Sequence, residues 1–268
     1  MRTLSHRHRS LVCVSITAVA LSALATLRAE EVAEEPSQPA TARGSSGKAV
    51  PASPSNSPAS PSNLSASPTR SSAAQLVRCA NLIYANRRTS KCFSSEFLSQ
   101  LALETNVATH PKFDAVPLES PELYNFPFAV MTGEDGFTLS EDQRISLRNY
   151  LENGGFVLAS AGCSSSAWAD SFRQEMAAVF PDVQLVPLDL SHPIFHTVYD
   201  IDRLDCKRSD GQAHLEGLEI DGKIVLVFSS DGLNDTGKAG GNCCCCGGNE
   251  IRNSRQVNVN LLAYTLTH

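Results

Sequence analysis

Beyond Leu27 the sequence has no apolar run long enough to cross a bilayer, so a later membrane-spanning helix is excluded. Its larger part has no excess of basic residues. Of 22 Lys/Arg and 28 Asp/Glu, the first 72 residues hold seven and four, leaving 15 against 24 and a net charge of −9 for the rest. Such acidity argues against nucleic acid or anionic lipid as a partner. There is no complete catalytic signature either, and no Gly-x-Cys-x-Gly elbow surrounds any cysteine. Composition and motifs therefore leave the reaction unassigned.

What is present falls into three parts. Arg2, Arg7 and Arg9 precede the apolar stretch Leu11 to Leu27, the length of a signal-peptide core rather than a span. Ala23-Leu24-Ala25 or Leu27-Arg28-Ala29 would be the cleavage site. An uncleaved anchor is the alternative, and Cys13 lies too early for lipid attachment. Residues 1–29 thus read as a signal peptide, with export to a periplasmic or extracellular space and no transmembrane span after cleavage. Residues 30–72 read as a disordered linker. Pro36 to Ser72 holds seven prolines and twelve serines in 37 residues, with almost nothing large and apolar. A chain of that kind cannot bury enough surface to offset its ordering entropy. It also repeats, Pro51-Ala-Ser-Pro-Ser-Asn-Ser57 being followed by Pro58-Ala-Ser-Pro-Ser-Asn63.

Residues 73–268 suit one domain with a sizeable core. Strand and helix patterns alternate along them. Strands are expected at Val77 to Tyr84, Phe128 to Met131, Phe156 to Ser160, Val183 to Leu188 and Ile224 to Phe228. Helices are expected over Ser94 to Glu104, from Ser140 to Asn153, from Ser165 to Phe180 and from Arg252 to Thr267. Ser140 and Gln143 form a capping box, Asn153-Gly-Gly155 is a stop, and Asp221-Gly222 between apolar flanks is a hairpin turn. The pattern predicts an α/β fold, a three-layer sandwich around a mainly parallel sheet. Ligands of such sheets bind beyond the carboxyl ends of the strands. With those strands as parallel neighbours, that rule would place Glu134, Cys163, Asp231 and the run Cys243, Cys244, Cys245, Cys246 on one edge, and Asp235, in the same last loop, is a further pocket candidate.

From Pro121 to Thr267 the chain resembles the uncharacterised family known as domain of unknown function 4159. The residues that carry the resemblance include Phe126-Pro-Phe, Met131-Thr-Gly, Gly136-Phe-Thr-Leu-Ser140, Leu147-Arg-Asn-Tyr-Leu151, Gly154-Gly155-Phe156, Phe172-Arg-Gln-Glu175, His192-Pro-Ile-Phe195 and Asn258-x-Asn260. The resemblance implies a fold similar to the class I glutamine amidotransferases, that is, flavodoxin-like, and implies no reaction. This chain departs from the family pattern twice. Ala159-Ser-Ala-Gly-Cys163 stands where acidic residues are usual, and Asn242-Cys-Cys-Cys-Cys-Gly-Gly-Asn-Glu250 replaces a Cys-Gly-Trp-type loop.

Nine cysteines less Cys13 leave eight in a mature chain, which in an oxidising compartment favours disulfides. Cys79 and Cys92 are close enough in sequence to bridge. Consecutive side chains diverge, so the run alone does not complete a tetrahedral site. Two of its cysteines with Cys163 and Cys206 would make a tetrathiolate, for which zinc is the cofactor expected after export. Cys163 also sits between a strand and a helix, where a nucleophile is placed in amidotransferase-like folds. His214 and Glu216 have the spacing of a base and its orienting carboxylate. His192 is a further pocket candidate, although Pro193 argues against helical His192/His196 ligation. Glu250, Asn249 and Asn253 read as caps of the last helix.

The leading expectation is an exported binding or structural domain, with a cysteine-rich loop held by disulfides or metal. A thiol hydrolase or amidotransferase-like enzyme using Cys163 is the alternative. A cell-envelope interaction module, engaging an envelope protein or small ligand, is the third. Amide hydrogen exchange on the full chain is expected to be fast throughout Pro36 to Ser72, and protection across that stretch would contradict the tether.

Overall fold

A computed structural model of the chain describes residues 76–86, 92–208, 210–235 and 250–268. The leader, the linker and the run Cys243 to Cys246 lie outside the described residues. Seven strands form one sheet: β1 (Cys79–Ile83), β2 (Asp114–Pro117), β3 (Phe128–Gly133), β4 (Phe156–Ala161), β5 (Val186–Pro187), β6 (Glu216–Ile220) and β7 (Lys223–Ser229). They stand in the order β2-β1-β3-β4-β7-β6-β5. The first five in that order are mutually parallel, and β6 and β5 extend one edge by antiparallel pairing. Four helices accompany them: α1 (Glu96–Glu104), α2 (Glu141–Glu152), α3 (Ser166–Val179) and α4 (Ser254–Thr267).

Side-chain alternation along the strands divides the core in two. Cys79, Phe128, Val130, Phe156, Leu158 and Val227 point to one face, where Phe97, Leu98 and Leu101 of α1 and Val257, Leu261 and Tyr264 of α4 meet them. Ala80, Leu82, Ala129, Met131, Val157, Ala159 and Phe228 point to the other, under Leu147, Tyr150 and Leu151 of α2 and Trp168, Phe172 and Met176 of α3. The central strands are buried on both faces, which is why they read as continuous apolar runs. Phe128 and Phe156, neighbours in register, stack with ring centroids 5.4 Å apart.

Local chemistry sets the element ends. The Ser140–Gln143 capping box is made in both directions at the start of α2. The Asp221-Gly222 turn has φ of 51° and 78°, as a two-residue hairpin between β6 and β7 requires. The strand expected over Val183 to Leu188 shrinks to Val186–Pro187: the Val183 N–H is used in a turn to Phe180 O, and Pro187 has no N–H to extend the pairing. β2 was not expected: its four residues carry only one buried apolar side chain, Val116, too little pattern to register.

The side chain of Cys79 points into the α1/α4 core, and no disulfide joins it to Cys92. Burial pushes its thiol up to about 12, with Asp114 adding to the shift, so it remains a neutral, core-packed group. On the opposite face a polar tie crosses the apolar packing. The Trp168 indole N–H donates to Tyr84 Oη at 2.7 Å, and Tyr84 Oη donates to Thr132 O at 2.9 Å. Gly133 lies directly beneath this pair. A Cβ there would sit 2.7 Å from both Trp168 Nε1 and Tyr84 Oη. Gly133→Ala is therefore expected to destabilise the domain by about 1–3 kcal/mol through overpacking. A denaturant midpoint equal to that of the parent would contradict the packing described for Tyr84 and Trp168.

Candidate functional site

The carboxyl ends of β3, β4 and β7 are level: Thr132 pairs with Ser160, and Ser160 with Ser229. The three following loops, at Glu134, Gly162 and Ser230, consequently leave the sheet side by side. After β4 the chain makes a tight turn through Gly162, Cys163 and Ser164 before α3. Cys163 has φ 50° and ψ 29°, and Ser164 has φ 54°, both in the left-handed region that side chains avoid. Two successive non-glycine residues in that conformation must be held there by their surroundings.

The surroundings supply specific contacts. The Cys163 thiol approaches Glu134 Oε1 at 3.6 Å. The Ser164 hydroxyl donates to Asp231 O at 2.6 Å. The Ser165 hydroxyl donates to Glu134 O and accepts from Trp168 N–H, capping α3. Backbone also meets backbone. A Cβ on Gly162 would lie 3.0 Å from Gly133 O and from Glu134 Cγ. A Cβ on Gly232, which has φ 102°, would lie 2.7 Å from Ala161 O. Below the loops, buried Ser229 accepts from Gly232 N–H and buried Ser160 from Leu233 N–H, both at 2.9 Å. The result is a half-buried thiol at a polar, acidic edge, with one carboxylate against the sulfur and a rigid backbone floor.

Glu134, Cys163 and Asp231 are thus brought together. Asp235 stands to one side, paired with Arg255 at 2.6 Å. It borders a concavity of about 400 Å³ that is also lined by Gln100, Tyr199, Arg252 and Asn253. Cys206 is buried on the adjoining segment, where it bridges Ile251 and its carbonyl accepts from Arg252. His214 is exposed and makes no hydrogen bond to Cys163. Glu216 is committed to Arg173 of α3 at 2.5 and 3.3 Å. The expected sequence of thiol, base and carboxylate is not joined by any contact among the described residues. His192 lies elsewhere, at the end of α4 against Tyr264. Its Nδ1 accepts from Ile194 N–H at 3.2 Å, and burial lowers its pKa. Among the described residues no group of three or more His, Cys, Asp and Glu is arranged to hold a metal.

Several participants had no signal in the sequence. Ser164 and Ser165 carry no motif of their own, and the ties they make accompany the left-handed turn. Glu250 and Asn253 were expected to cap α4. Asn253 does occupy the cap position, but its amide donates to Arg203 O, and its side chain makes no capping bond. Glu250 is buried, with its side chain against Gly232.

Comparison with known families gives a match along most of the domain. The family model described as Domain of unknown function (DUF4159) matches residues 78–266. It reaches back from Pro121, where the resemblance was noted, to include β1, α1 and β2. No curated protein matches the chain.

If Ser164 ties the β4 turn to the β7 loop, Ser164→Ala should lower stability by about 1 kcal/mol, the usual net worth of such a bond. Chemical denaturation would measure it. A variant as stable as the parent would mean that the two loops are not coupled through this hydroxyl.

Proposed function

The chain belongs to the family described as Domain of unknown function (DUF4159), and we propose that it is an exported α/β binding or structural domain with its site at the carboxyl edge around Cys163. The observation that carries this reading is the left-handed Cys163–Ser164 turn, held by Glu134 on one side and Asp231 on the other. Strain retained at a strand end, next to a thiol, is characteristic of a functional position. The finer fold assignment also belongs here. The parallel strands run β2-β1-β3-β4-β7, the 2-1-3-4-5 pattern of flavodoxin-like sheets, whose ligands sit at this edge. That order supports the amidotransferase-like class. Export rests on the basic and apolar leader at Arg2 to Leu27.

In this reading the cysteine run closes on Cys163 or Cys206 through a disulfide or a zinc ion. Chain connectivity supports it. Cys246 is four residues from Glu250, so at most about 14 Å of extended chain separates them. Glu250 in turn neighbours Gly232 and, through its carbonyl, Lys207 N–H beside Cys206. A thiol enzyme is the second reading, favoured by the position of Cys163 between β4 and α3. It requires a base other than His214, and Glu134 is the titratable neighbour in contact with the sulfur.

Thiol counting under denaturing, non-reducing conditions, together with metal analysis, tests the first reading on the purified chain. It predicts either fewer titratable thiols than the sequence contains or about one zinc per chain. A full complement of thiols with no metal would overturn it. Hydrolysis of a thioester or amide probe that is lost in Cys163→Ala would establish the enzyme reading instead.

A further inference from the structure

Beneath the Cys163 edge, on the α4 face of the sheet, three oxygen-bearing side chains are buried around the start of α4. Glu250 lies in the segment before α4, and Ser254 and Asn258, four residues apart within α4, are on one side of the helix. Their relative exposures are 2 %, 1 % and 1 %. Glu250 Oε1, Ser254 Oγ and Asn258 Oδ1 are all shielded from solvent and have no hydrogen-bond partner among the described residues. Glu250 and Asn258 adjoin two consecutive residues just beyond β7, Gly232 and Leu233. Glu250 Cγ lies 3.2 Å from where a Cβ on Gly232 would be, and Asn258 Nδ2 donates to Leu233 O at 2.9 Å. That amide bond also fixes the orientation of Asn258, so the atom left over is an acceptor.

The chemistry of the unmet groups is one-sided. Two are acceptors only, and the third is a hydroxyl that can accept. Each unmet buried acceptor costs about 1–3 kcal/mol, and a buried carboxylate without a counter-charge costs more. Among the described residues, the two arginines nearest in sequence are committed elsewhere. Arg252 donates to Cys206 O and Lys207 O, and Arg255 is paired with Asp235. The start of α4 supplies only about half a positive charge, less than the carboxylate carries. A water molecule could donate to two of the oxygens but would leave the charge uncompensated.

We propose that Glu250, Ser254 and Asn258 form an all-oxygen site for a small hard cation, locking the start of α4 to the Gly232–Leu233 turn at the end of β7. Oxygen donors with a single carboxylate select calcium, magnesium or an alkali ion rather than zinc. The site is separate from any thiolate centre at Cys163, and it does not depend on that reading.

The test uses the full chain after chelator treatment and dialysis, with calcium, magnesium, sodium and zinc chlorides added separately. A saturable rise in Tm with one of the first three is expected, at one ion per chain by native mass spectrometry. Glu250→Gln should weaken that ion by at least about tenfold, because it removes the only charged ligand. Should Glu250→Gln not fold, the milder Ser254→Ala is expected to reduce the same response. Cys163→Ser should retain it, whereas a zinc response lost in Cys163→Ser belongs to the thiol site. No Tm shift and no bound ion with calcium, magnesium or sodium, or equal shifts in parent, Glu250→Gln and Ser254→Ala, would overturn the proposal and leave buried water as the occupant.

Discussion

The left-handed turn at Cys163 and Ser164 is the constraint on which the rest of this edge depends. An ordinary residue in that conformation is disfavoured by about 1–2 kcal/mol, and here two stand in succession. In that arrangement Ser164 meets Asp231 O and Ser165 meets Glu134 O. The turn ends β4 abruptly, starts α3 at the Ser165 cap and presents the thiol outward. Loops from three strands then interlock through a close approach at Gly162 and a backbone contact at Gly232 that leaves no room for a methyl group.

The scaffold can sustain that local cost because it is rigid underneath. β3, β4 and β7 are buried on both faces, with Trp168, Phe172 and Phe228 stacked below the site at centroid distances of 5.2 and 4.7 Å. Arg144 of α2 grips the buried Glu175 of α3 at 2.8 and 3.2 Å, and Arg173 of α3 grips Glu216 of β6. Removing one partner of the Arg144–Glu175 pair would leave a buried charge uncompensated, so these pairs fix α3 in place more than they add net stability. A fixed α3 is what holds the Cys163 turn against the β7 loop.

Much of the architecture was legible in the sequence because it follows from period and punctuation. Continuous apolar strands, the Ser140–Gln143 box and Asp221-Gly222 each act locally, and each has its expected structure. The convergence of Glu134, Cys163 and Asp231 followed from a topological rule applied to those strands. What the sequence concealed is what tertiary contact creates. β2 exists because β1 offers it an edge, not because Asp114-Ala-Val-Pro117 has a pattern. Glu250 reads as a solvated cap beside a glycine-rich loop, yet Ile251 and Gly232 draw it inside. His214 and Glu216 have a suggestive spacing, but His214 lies exposed ahead of β6, and Arg173 claims the carboxylate.

The account stands on the backbone of Cys163, and two substitutions there measure it most directly. In a right-handed helix alanine is more stable than glycine by about 1 kcal/mol, whereas at a left-handed position the order reverses. Comparing the unfolding free energies of Cys163→Gly and Cys163→Ala separates these cases, since both remove the thiol and its contact with Glu134. The account predicts that Cys163→Gly is the more stable of the two by roughly 1 kcal/mol. An equal or greater stability of Cys163→Ala would contradict it, because the turn that assembles this edge would then not be left-handed.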